Sequence, residues 1–138
     1  MKKSIPKFLL ILLIIYGIAS FVHFIHNAEF LSEYPNLPTS WSRLGIYVAW
    51  LALTIPGIVG WFLLIRGFPR LGLLLLVIYA LLGMDSLGHY MLAPISEHTL
   101  AMNTTIMSEV TAATLVLVEA IRLMTLHFFH RHNLTNRA

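Results

Sequence analysis

Residues 71–93 read LGLLLLVIYALLGMDSLGHYMLA, an apolar run with one charge, Asp85, and one histidine, His89, four positions further on. At 1.5 Å per residue the run is long enough to cross about 30 Å of hydrocarbon. It stops before Pro94, a helix terminator. The rest of the chain repeats the pattern. Phe8 to about Ala28 is apolar and uncharged over its first fifteen residues, and Leu44–Ile65 is uncharged, with Pro56-Gly57 marking a kink. A fourth run extends from Leu100 to Leu126. The expectation is an all-α polytopic membrane protein, one four-transmembrane-helix bundle spanning residues 1–138, with helices at about 8–28, 44–65, 71–93 and 100–126. Composition agrees. Apolar residues make up 58% of the 138 and charged residues 11%, against roughly 25% charged in a soluble domain. Mean hydropathy is +0.80. So few charges cannot cover a soluble fold, which excludes a cytosolic enzyme, a disordered segment and a nucleic-acid partner. The chain has no cysteine, which excludes disulfides, thiolate chemistry and iron–sulfur clusters.

The basic residues set an expected orientation. Lys2, Lys3, Lys7, Arg66, Arg70, Arg122, Arg131 and Arg137 fall on one side of a four-span topology, and Arg43 alone on the other. Positive charge accumulates on the cytoplasmic side, so both termini are expected there, in a multi-pass protein of the cell inner membrane. Met1-Lys2-Lys3 before an apolar stretch also resembles a signal peptide. The apolar run continues through Ile25, longer than such a segment requires, so it is read as a span.

Ionisable groups inside a span are costly and mark functional sites by default. Asp85 lies nine residues before Pro94 and Glu109 nine after Leu100, each about 13 Å in from the outer end. His23 lies at a similar depth on the first helix, with His26 three residues on. Asp85 and His89, four apart, share a face of an α-helix. His23, His26, Asp85, His89 and Glu109 are therefore the expected ligands of a metal site in the outer half of the bundle. Imidazole and carboxylate suit a non-haem iron, copper or zinc ion, and facing helices of a bundle are where such sites are built. His26 and His89 also meet the two-histidine requirement of haem, although nearby carboxylates favour a non-haem ion. Asn27, Glu29, Ser86, Tyr90 and His98 are expected to hydrogen-bond behind the ligands, with Tyr16, Ser20 and Ser108 as further donors. Glu119 and Arg122 are expected to pair at i, i+3. His127, His130 and His132 are read as a juxtamembrane basic end.

The first half of the chain resembles a known family. The segment Gly17-Ile18-Ala19-Ser20-Phe21-Val22-His23-Phe24, the loop Tyr34-Pro35-Asn36-Leu37-Pro38, an apolar helix and a basic turn resemble DoxX-like small membrane proteins. The resemblance implies a compact four-helix bacterial membrane protein, with some relatives linked to quinone-coupled sulfur oxidation. An acidic residue often found in their second helix is absent between Leu44 and Ile65, so architecture alone carries over. Three function classes follow: a metal-dependent, redox-linked membrane protein; a proton-coupled or small-ligand transporter; and a structural subunit of a homo-oligomer or larger membrane complex.

Overall fold

The computed structural model describes residues 6–135, with side chains described through residue 127. The described chain is all-helical: α1 (Lys7–Glu29), α2 (Arg43–Ile65), α3 (Pro69–Gly83), α4 (His89–Leu92) and α5 (Leu100–Thr135). Tight 3-10 segments lie at Leu31–Glu33, Met84–Gly88 and Ile95–Glu97. Three helical stretches, Lys7–Glu29, Arg43–Ile65 and Pro69–Leu92, are long and apolar enough to cross a membrane by length and composition. α5 is a fourth long helix, and it runs to Thr135 rather than ending near Leu126. His127 therefore lies within a helix, while the side chains of His130, Arg131 and His132 lie outside the described residues.

Local chemistry places the boundaries. The Ser42 side chain accepts a hydrogen bond from the Gly45 amide at 3.1 Å, capping α2. α2 then runs unbroken through Pro56. Gly67, at φ 91°, turns the chain from α2 to α3, whose first turn holds Pro69. In the loop after α1, Asn36 sits at φ 57° and donates from Nδ2 to the Leu92 carbonyl at 2.9 Å. That bond ties the loop to the end of α4.

α5 packs on α1 and α3, whereas α2 packs chiefly on α3 and more loosely on α1. The inward rows are legible. On α1 the buried residues are Leu9, Leu12, Tyr16, Ser20, His23 and Asn27, and on α5 Met102, Ile106, Glu109, Ala113, Val116 and Ala120. Spacings of three and four keep each row on one helical face. Both rows change character along their length. Leu9, Leu12, Leu73, Leu76, Ala113 and Val116 make a dry core toward the Arg66–Phe68 turn. Polar side chains fill the end toward the Tyr34 loop. Outward faces are apolar, with Ile11, Ile14, Ile18, Val48, Ile55 and Ile58 all exposed. In water this would be one large aggregation-prone patch; against lipid it has no such cost. At the dry end Arg122 donates from Nε and Nη2 to the two Glu119 oxygens, each at 2.7 Å, forming the expected pair.

The α2–α3 crossing depends on missing side chains. A Cβ on Gly72 would stand 2.7 Å from the Leu64 nitrogen and 2.8 Å from the Gly60 oxygen, both backbone atoms that cannot swing aside. Gly72→Ala should therefore cost about 1–3 kcal/mol, the range for overpacking a tight contact. Gly17 meets nothing within 4 Å, so Gly17→Ala should leave the thermal midpoint of the detergent-solubilised protein unchanged or slightly raised. Equal midpoints for the two variants would show that the helices do not cross this closely.

Candidate functional site

The third helical stretch changes pitch where the polar residues begin. Met84–Gly88 is wound as a 3-10 helix. In an α-helix, positions four apart differ by about 40° around the axis. At three residues per turn they differ by about 120°, and positions three apart come into line. The inward row thus continues Gly83, Ser86, His89, all buried, while Asp85 is exposed. This corrects the expectation that Asp85 and His89 share a face: Ser86 takes the inward place.

Glu109 on α5 is 1% exposed. Ser86 Oγ donates to its Oε2 at 2.5 Å, and the Ser20 side chain is also hydrogen-bonded to it. His23 Nε2 lies 3.8 Å from the same Oε2. The other His23 nitrogen, Nδ1, is 3.3 Å from Thr105 Oγ1, whose own hydroxyl donates to the Met102 carbonyl at 3.0 Å. With Nδ1 engaged by Thr105, Nε2 faces the carboxyl group. A proton held by either partner makes the His23–Glu109 approach attractive.

Beyond this pair lies a cluster of rings. His89 packs edge-on to His23, with centroids 5.4 Å apart, and its Nε2 is 3.1 Å from Asn27 Nδ2. Tyr34, from the loop, is buried against His89 at 4.9 Å, and its hydroxyl is 2.9 Å from His26 Nδ1. Burial pushes the Tyr34 phenol up to about 12, so it keeps its proton. His98 is buried beside Tyr90 and His89, bonded through Nδ1 to the Pro94 carbonyl at 3.0 Å. Tyr90 donates to Asn103 Oδ1 at 2.8 Å. Asn27 Oδ1 and His98 Nε2 are buried without a hydrogen-bond partner.

The five expected metal ligands therefore separate. His23 and Glu109 meet, and His89 stands next to His23. His26 turns instead to Tyr34, and Asp85 leaves the packed interior. Tyr34 touches both His26 and His89, so those two do not face each other across a haem-sized space. Among the described residues no three His, Asp or Glu side chains converge into a metal-holding group. Of the expected supporting residues, Asn27, Ser86 and His98 belong to the cluster. Glu29 does not: it binds Arg43 at 2.7 Å and Tyr47 at 2.6 Å. Ser108 is exposed. Tyr34 and Thr105 were not anticipated, because one reads as a turn residue and the other as an ordinary helix position. The helical spacing of Thr105 from Glu109 was the available signal.

Against this cluster lies a cavity of about 710 Å³ between α1, α2 and the α3–α4 stretch. Its polar lining includes His23, Asn27, Ser40, Asp85, Ser86 and His89, and its apolar lining includes Ile46, Leu53 and Leu82. The loose α1–α2 seam accounts for the space. α5 contributes nothing to the lining, so Glu109 stands behind it. The chain matches no family model, no curated protein and no solved structure.

Two outcomes follow. Ser86→Ala should destabilise the protein by about 1–3 kcal/mol, because a buried carboxyl group loses a donor. Asp85→Asn, at an exposed position, should stay within about 0.5 kcal/mol. Thermal melts that rank the two the other way would return Asp85 to the interior. Elemental analysis of purified protein should find transition metal well below one ion per chain. A stoichiometric ion would mean that the cluster rearranges around it.

Proposed function

We propose that this chain is a small multi-pass membrane protein that binds one amphiphilic small molecule in the cavity beside the His23–Asn27–His89 cluster. The observation that carries the reading is the cavity itself, in which polar groups from two helical stretches share one enclosure with aliphatic side chains of α2 and α3. A pocket with a few convergent polar groups on an apolar lining is the usual form of a small-molecule site. The polar groups orient a head, and Ile46, Leu53 and Leu82 receive an apolar body. His23 lies in the cavity wall, with Glu109 behind it at 3.8 Å.

The reading extends to orientation: four crossings, both termini cytoplasmic, and the cavity in the outer half of a cell inner membrane. Its support is the eight-to-one distribution of basic residues. The dry core beneath Tyr16 favours binding over transport, since Leu9, Leu12, Leu73 and Leu76 leave no polar path to the other side. The four-helix architecture is the one that the DoxX-like resemblance implies, and no catalytic role comes with it.

Native mass spectrometry tests the pocket. A small molecule should co-purify with the wild-type protein and be absent from Ala49→Trp, which places an indole in the cavity lining at an exposed position. The same adduct on Ala49→Trp would place the ligand elsewhere. Reporter fusions at Asn36 and after Ala138 should report opposite sides of the membrane; the same side for both would overturn the topology.

A further inference from the structure

The charge balance of the cavity narrows its ligand. Histidines aside, Asp85 is the one ionisable residue in the lining among the described residues, and no described Lys or Arg belongs to it. Arg43, beside the cavity in sequence, is held by Glu29 at 2.7 Å. A carboxylate or phosphate head would therefore meet one negative charge and no positive one. The lining also offers acceptors. Asn27 is 5% exposed, and its Oδ1 is buried without a partner even though its Nδ2 is engaged with His89. An unsatisfied acceptor in an apolar setting is destabilising until a donor reaches it. Ser40 and Ser86 add hydroxyl oxygens to the same lining. Trp41 and Phe24 also line it, and an aromatic face attracts a cation.

An ammonium group meets all of these conditions: three donors, no acceptor and one positive charge. The apolar side chains of α2 and α3 require that it carry a hydrocarbon body. We propose that the cavity binds a single-chain primary amine, its ammonium beside Asp85 and Asn27 and its chain along Ile46, Leu53 and Leu82. The inference rests on the pocket reading above and adds the chemical class of the head. It excludes phosphate-bearing amines such as phosphatidylethanolamine, since no basic residue in the lining can take the phosphate.

The test is equilibrium binding of dodecylamine, dodecanol and dodecanoate to the full chain in phosphatidylcholine nanodiscs, with uptake by empty nanodiscs subtracted. A charge-assisted hydrogen bond predicts that dodecylamine binds about tenfold tighter than dodecanol, with dodecanoate weakest. Asp85→Asn should bring dodecylamine binding down to the level of dodecanol, and a thermal midpoint equal to wild type shows that the variant is folded. Addition of phosphatidylethanolamine to the nanodiscs should not displace the amine. Equal binding of amine and alcohol, an amine preference that survives Asp85→Asn, or displacement by phosphatidylethanolamine would overturn the amine assignment while leaving the pocket in place. Failure of all three probes to bind, or equal amine binding to Ala49→Trp, would overturn the pocket along with it.

Discussion

Glu109 governs the polar end of this bundle. A carboxyl group 1% exposed among apolar helices must find its hydrogen bonds within the protein, because an unpaired group at such depth costs several kcal/mol. Ser86 and Ser20 supply hydrogen bonds from two other helical stretches, and His23 approaches to 3.8 Å. For Ser86 to reach the interior, the third stretch must bring positions 83, 86 and 89 into one row, and three residues per turn does that where 3.6 does not. The 3-10 segment has poorer internal hydrogen bonds, and the Ser86–Glu109 bond offsets that cost. The same change of pitch turns Asp85 outward and leaves its carboxylate in the cavity lining.

Polarity along the bundle is graded. Tyr16 marks the border: its hydroxyl donates to the Tyr79 carbonyl at 3.1 Å, and its ring packs on the Tyr79 ring. Below it lie leucine and alanine. Above it lie serine, histidine, asparagine and glutamate. Gly83 makes the border possible, since a Cβ there would collide with the Tyr16 hydroxyl and with Ala113. The bundle thus has a dry half and a polar half.

The loop after α1 completes the polar end. Tyr34 seals the imidazole cluster from above, bonded to His26 and packed on His89, while Asn36 fastens the loop to the end of α4. His98 closes the other side from the link before α5. The cluster is thus enclosed by residues from two connections as well as from the helices. α2, held mainly by the glycine crossing at Gly60 and Gly72, stands far enough from α1 to leave the cavity between them.

By itself the sequence marked four apolar helical runs, although the structure carries the last to Thr135 and winds Met84–Gly88 of the third as a 3-10 segment. Apolar runs about twenty residues long, bounded by proline, glycine and charges, have few alternatives to a membrane bundle. It also determined the depth at which polar groups gather, because 1.5 Å per residue converts position into height. It set His23, Asp85 and Glu109 at one level with His26 and His89 a turn outward; the structure brings His23 beside Glu109 and His89 and separates Asp85 and His26 from them. It did not determine azimuth. Which side chains on a helix face one another depends on pitch, and pitch responds to partners on other helices, as Met84–Gly88 does to Glu109. For that reason Asp85 was expected inside and lies at the cavity, and His26 was expected to be a ligand and instead binds Tyr34. Tertiary structure alone decided these positions, because a buried carboxyl group takes its hydrogen bonds from whichever helix can be wound to provide them.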